Sequence, residues 1–249
     1  MSLHGDTRAA RNVIGLTLTF SVIIVSVGLT ATVGYQQLDR VNEVNRIENA
    51  EEGMKQVTAA LERLQQGRSV VATTELNLGG GTLAVTDGAE MTVRATRNFN
   101  VTFPTGGLAY RLGETSYTYE SGALFRTDRN RSVMIARPTM SCTKHQAVVS
   151  VVTVRAQSAE SFSGGVVTLK GAVESSQLVY PLNRTGPDSA ADAPEANVTV
   201  SSPRAGAWSA YFAESGSWTE SAALEDTYVC DGVDAVYVRR VVIEVSFLS

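Results

Sequence analysis

Hydrophobic and polar positions divide the chain into three regimes. From Val13 to Tyr35 the sequence reads VIGLTLTFSVIIVSVGLTATVGY, 23 residues without a charge. As a helix this run measures about 34 Å, against roughly 30 Å for the hydrocarbon core of a bilayer. It exceeds the apolar stretch of a secretory signal and reads as a membrane-spanning helix. From Leu38 onward the period stays helical but one-sided. Leu38, Val41, Val44, Ile47, Met54, Val57, Leu61 and Leu64 form a single stripe among charged and amide residues. Gly67 stands where a helix stops, and Arg63 and Arg68 suit its negative end. The two stretches predict one helix from about Val13 to Gln66, with Gly53 a weak point inside it.

From about Ser69 the period changes to two. Strands are expected at Thr82–Thr86, Met91–Thr96, Asn98–Phe103, Leu108–Leu112, Ser116–Glu120, Ala123–Thr127, Ser132–Ala136 and Ala147–Arg155. Gly113-Glu114 reads as a hairpin turn, and Gly79-Gly80-Gly81 as a flexible turn. Val166–Val173 and Gln177–Tyr180 read as two further strands, followed by a polar loop over 181–196 and a strand at Asn197–Val200. Ser202-Pro203 has the form of a helix start, with Ala207, Trp208, Tyr211 and Phe212 as the apolar face and Gly216 as the stop. Ala235–Phe247 is a long last strand, which places it centrally in a sheet or bends it at Arg239-Arg240. The expected fold class is α+β: a long N-terminal helix, half membrane span and half amphipathic stem, then a β-rich, sandwich-like head with one short helix. The expected division is a leader over 1–9, the span and stem over 10–67, and the head over 68–249.

Charge orients this arrangement. Arg8 and Arg11 precede the apolar run, whereas Asp39, Glu43, Glu48, Glu51 and Glu52 follow it. The N-terminus is therefore expected in the cytoplasm and the head outside the cell, with membrane lipid as a partner. A net charge of −4 argues against nucleic acid as a partner. Cys142 and Cys230 are the only two cysteines, read as one disulfide or as two unpaired buried thiols. Four sequons, at Asn100, Asn130, Asn183 and Asn197, are glycosylation candidates, each with unmodified asparagine as the alternative. Gly28 and Thr32 have the spacing of close helix packing, or of simple tolerance for small residues in a membrane.

Catalytic patterns are weak. Of two histidines, only His145 lies in the head, and with Cys142 it has the spacing of half a metal site. A surface histidine beside a disulfide is the plainer reading, and no metal or cofactor is expected. Glu114, Glu120 and Asp128 are carboxylates that could act as acid and base, or simply be solvated strand and loop charges. The sequence does not read as that of an enzyme.

Residues 8–35 resemble the N-terminus of archaeal, and particularly haloarchaeal, type IV pilin-like proteins. The matching residues are Arg8-Ala9, then Ala10-Arg11-Asn12, then Val13-Ile14-Gly15 and the apolar run. The segments YESGALFRTD (119–128) and VTVSSPRAGAWSAYF (198–212) look like an uncharacterised family of such surface proteins. The resemblance implies cleavage between Ala9 and Ala10 by a prepilin peptidase, and contact with other pilin-like subunits through the N-terminal helix. It implies a membrane-anchored surface subunit, a minor or accessory structural component of a pilus-like filament. The alternatives are a single-pass surface protein that does not polymerise and whose head binds a ligand or partner, and an anchored extracellular enzyme.

Overall fold

The computed structural model describes the backbone of residues 7–248 apart from Gly88 and residues 158–160, with the side chains of all these except 7–16 and 28–42. Helix α1 spans Thr7–Gln65. The strands that follow are β1 (Val71–Asn77), β2 (Thr82–Thr86), β3 (Glu90–Arg94), β4 (Asn100–Pro104), β5 (Gly107–Leu112), β6 (Thr115–Glu120), β7 (Ala123–Asp128) and β8 (Arg131–Ala136). Next come β9 (Ser141–Cys142), β10 (Ala147–Ala156), β11 (Ser161–Ser163), β12 (Val166–Tyr180) and β13 (Glu195–Ser201). Helix α2 (Ala205–Ser215) precedes β14 (Thr219–Glu220), β15 (Thr227–Asp231) and β16 (Val236–Leu248). The fold class is α+β. The chain divides into two compact units, Met1–Glu48 and Asn49–Ser249, so the division falls inside α1.

In the second unit the strands form three sheets. The first has the order β1-β12-β16-β10-β9, with β16 in the middle and parallel to β10. The second, β11-β2-β5-β6-β7-β8, is antiparallel throughout, and so is the third, β14-β15-β13-β3-β4. The first sheet's two paired central strands, β10 and β16, are buried on both faces. Val152, Val154, Val241, Ile243 and Val245 face one core with the second sheet, and Val149, Val151, Val236 and Val238 face another with the third sheet and α2. Burial on both faces is why β10 and β16 read as near-continuous apolar runs rather than alternating ones.

The last four turns of α1 pack into the first of these cores. Ala50, Met54, Val57, Leu61 and Leu64 are buried there. Gly53 has a structural reason: a Cβ at that position would run into the side chain of Leu76 on β1. The glycine therefore trades helix propensity for close approach of strand to helix. Gly67 ends the helix at φ +73°, with its amide on the Leu64 carbonyl and the Arg68 amide on that of Arg63, as the sequence predicts.

Several expectations need correction. The two strands at 166–173 and 177–180 are one strand, β12, whose period is broken by irregularities between Val173 and Ser175 and between Leu178 and Tyr180. Of the two alternatives for the last strand, the central position holds: β16 is the middle strand of the first sheet and runs unbroken through Arg239-Arg240. Helix α2 starts at Ala205 with Arg204 at the cap position, not at Ser202-Pro203. The Ser202 hydroxyl is spent one turn earlier, accepting the Arg204 amide at 3.0 Å and donating to Glu120 at 3.1 Å. The triple-glycine turn also carries a packing requirement at its last glycine. A Cβ on Gly81 would lie 2.5 Å from both the Arg111 carbonyl oxygen and Tyr110 Oη, and that hydroxyl donates to the Leu78 carbonyl.

Candidate functional site

The first unit offers one feature of functional weight. Leu18, Phe20, Val22, Ile23, Ile24, Val25 and Val27 of α1 are 52–64% exposed, on every side of the helix. Two of its hydroxyls bond within the helix: Ser21 Oγ donates to the Thr17 carbonyl at 2.8 Å and Ser26 Oγ to that of Val22 at 2.7 Å. The segment presents an apolar surface with few polar groups left to solvate. Among the described residues no helix is long and apolar enough to cross a membrane. Of the Val13–Tyr35 run, only Thr17–Val27 have described side chains. The side chains of Ala9, Ala10, Gly28 and Thr32 lie outside the described residues, as does the leader before Thr7.

The three candidate carboxylates are not brought together as an acid–base pair; each has its own cation. Glu114 accepts from Arg129 Nε at 2.9 Å on the surface. Asp128 accepts from Thr115 Oγ1 at 2.7 Å and from Arg126 Nε at 2.8 Å, and these bonds hold its carboxyl below the usual range. Glu120 corrects the reading of these carboxylates as solvated charges, because it is 1% exposed. Its Oε2 accepts from Arg204 Nε at 2.9 Å, from Arg204 Nη2 and from Ser202 Oγ. Its Oε1 accepts from Trp208 Nε1 at 2.9 Å. The carboxylate sits at the end of β6 and its partners come from the turn before α2 and from α2 itself. It therefore ties the helix to the second sheet, and all its bonds are internal. The diagnostic segments 119–128 and 198–212 meet at this point, and the aromatic rings of Phe125 and Trp208 pack beside it with centroids 5.4 Å apart.

A second cluster joins α1 to the same sheet. Glu51 accepts from Lys55 Nζ at 2.8 Å, from Arg126 Nη1 at 3.2 Å and from Tyr117 Oη at 3.5 Å. The Lys55 bond, then Arg126, lowers the Glu51 pKa, while burial pushes the Tyr117 hydroxyl up to about 12. Sequence reasoning missed this cluster because its members lie 66 and 75 positions apart. Only the choice of a long cation on a strand beside a helix could have hinted at it.

Cys142 and Cys230 form a disulfide joining β9 to β15, with Cα atoms 5.8 Å apart. His145 lies on the surface, its Nδ1 2.9 Å from Asp234 Oδ2. With both thiols bonded, no half-site for a metal survives. Among the described residues no group of three or more His, Cys, Asp or Glu side chains could hold a metal ion. Of the sequon asparagines, Asn100, Asn130 and Asn183 are exposed. Asn197 is only 9% exposed on β13, the middle strand of its sheet, and its Nδ2 donates to Glu195 Oε1 at 2.9 Å.

No curated protein and no solved structure matches the chain. One family model does, over residues 8–246, and it is described as a family of unknown function, DUF7289. That match takes in both the apolar helix and the β-rich head, so the chain belongs to the DUF7289 family.

Proposed function

We propose that this chain is a type IV pilin-like cell-surface subunit, anchored in the membrane by α1 and serving as a minor or accessory component of a pilus-like filament. One observation carries the reading. The helix that packs into the β-rich head through Ala50–Leu64 bears seven large apolar side chains, between Leu18 and Val27, that remain 52–64% exposed among the described residues. Full burial of such side chains is worth about 1.5–3 kcal/mol each, or on the order of 10–20 kcal/mol for seven. A bilayer supplies that burial before assembly, and neighbouring helices supply it in a filament. The resemblance of residues 8–15 to haloarchaeal pilin leaders supports a cut between Ala9 and Ala10 by a prepilin peptidase. The disulfide fits an oxidising, extracytoplasmic location for the head.

The test is the N-terminal residue of the mature protein, read by mass spectrometry. A start at Ala10, lost when the prepilin peptidase is deleted, is the expected result. A start at Met1 or Ser2 that does not respond to the deletion overturns the pilin reading. Recovery of a processed protein from membranes but never from sheared filaments replaces the filament role with that of a non-polymerising anchored head.

A further inference from the structure

We infer that Asn183 is the N-glycan attachment site of the head and that Asn197 carries none. The inference rests on the extracytoplasmic location proposed above. Transfer of an oligosaccharide to a sequon requires access to two groups: the asparagine amide nitrogen and the hydroxyl two residues on. The four sequons differ in both.

At three of them the hydroxyl is already held by a hydroxyl across the sheet. Thr102 Oγ1 lies 2.7 Å from Thr92 Oγ1, Ser132 Oγ 2.8 Å from Thr127 Oγ1, and Thr199 Oγ1 2.8 Å from Thr227 Oγ1. The sequons of Asn100 and Asn197 are also held in strands, and β13 is paired on both sides. Asn197 is further covered by its neighbours, with its amide bonded to Glu195. A sugar there displaces the packing of the middle strand of the sheet.

Asn183 is different. It lies in the 181–194 loop, outside every sheet, and both Asn183 and Thr185 are exposed. The loop is built to present them. The Leu182 and Asn183 amides both donate to the Asp188 carbonyl, at 3.0 and 3.2 Å. The Asp188 carboxylate in turn accepts from Thr96 Oγ1 at 2.7 Å and from Asn98 Nδ2 at 2.8 Å, which fastens the loop to the turn between β3 and β4. The Asp188 amide closes the arrangement by donating to Asp192 Oδ2 at 2.8 Å. Asn183 Nδ2 uses one of its two hydrogens on the Pro187 carbonyl, at 2.7 Å. The other is free for substitution, so the glycosylated amide keeps its bond to the loop.

The chemistry is a transfer from an isoprenoid-phosphate-linked oligosaccharide by a membrane-bound transferase. A bond forms between Asn183 Nδ2 and C1 of the first sugar. The C1–O bond to phosphate breaks, the isoprenoid phosphate leaves with the electron pair, and the displaced amide proton passes to a base of the transferase. At this position the glycan adds hydrated bulk to a loop that already lies outside the sheets, and it disturbs no core contact.

The test is glycopeptide mass spectrometry of the protein isolated from the membranes of the cells that make it, with the N-terminal and Cys142–Cys230 peptides read in the same digest. Asn183 should carry glycan and Asn197 none, and Asn183→Gln and Thr185→Ala should each abolish the glycan at 183. An intact disulfide peptide shows that these variants folded. Bare Asn183 in a processed, disulfide-bonded protein overturns the inference and leaves the pilin reading standing. Glycan on Asn197 overturns it as well. Glycan on Asn183 in a protein that still begins at Met1 supports the inference and overturns the pilin reading instead.

Discussion

Replacing Glu120 by glutamine isolates the charge at the centre of the β6–α2 junction while keeping its shape. In the native protein the carboxylate is 1% exposed and accepts four hydrogen bonds, from Ser202, Trp208 and two nitrogens of Arg204. Glutamine keeps one acceptor oxygen but presents an N–H₂ group to donors. It leaves the Arg204 guanidinium, whose side chain is only 17% exposed, without its counter-charge. Breaking a buried pair from one side costs about 3–5 kcal/mol. Residual solvent at Arg204 places the expected loss near the lower end, about 3 kcal/mol. For a domain of this size that lowers Tm by about 6–12 °C. Trp208 is a direct reporter, because its indole N–H bonds the same carboxylate and its ring packs on Phe125, Tyr211 and Phe212.

The assay is denaturant unfolding of the detergent-solubilised chain, followed by tryptophan fluorescence and by circular dichroism. A double-mutant cycle with Arg204→Met separates coupling from simple loss of bulk. If the pair acts as a unit, the double variant costs about 2 kcal/mol less than the sum of the singles. A loss below about 1 kcal/mol for Glu120→Gln, or strict additivity in the cycle, refutes the reading of Glu120 as the tie between α2 and the second sheet.

Three further outcomes follow from other parts of the head. Cys142→Ser with Cys230→Ser removes a crosslink of 88 residues and should cost about 4–5 kcal/mol in the chain-entropy model, read as a lowered unfolding midpoint that reductant reproduces in the parent. Glu51 and Asp128 have folded-state pKa values below their unfolded ones, so their contribution is complete above the ordinary carboxylate range and is lost as pH falls through the folded values. Tm should therefore hold from neutral pH to about pH 5 and then decline, and Arg126→Met should flatten that decline. Gly81→Ala forces a methyl against the Arg111 carbonyl and Tyr110 and should cost about 2–3 kcal/mol, whereas Gly164→Ala, where a Cβ meets nothing within 4 Å but φ is +76°, should cost only about 1 kcal/mol.

The elements that were legible in the sequence are those whose large apolar residues follow one simple period. The stripe from Met54 to Leu64 gave the packed half of α1, and the alternation of Leu108 and Tyr110, and of Tyr117 and Tyr119, with smaller or polar residues gave β5 and β6, because these four side chains enter one core even though their strands are buried in near-continuous runs. Strand β1 was not legible, since only Leu76 of its seven residues is buried and an edge strand leaves little pattern. Strand β15 was also missed: it is five residues long, and its apolar positions Tyr228 and Cys230 alternate over too short a span to stand out. The division of β12 failed for a different reason, because two irregularities reset the alternation within a strand that remains paired to β16.

The carboxylates mark the deeper boundary. Glu120 ends a strand beside Ser121-Gly122, a context that normally leaves a charge in water. What buries it is a helix about 85 positions later, and only the fold brings Arg204 and Trp208 to it. A local pattern reports which face a residue occupies, but it does not report what will cover that face. The same reasoning applies in reverse to Leu18–Val27. Their apolarity was legible from the start, and among the described residues they stay exposed. Glu120 received its partner from within the molecule and is thereby explained as structure. The helix surface received none from the described residues, and for that reason the functional proposal rests on α1 rather than on any cluster in the head.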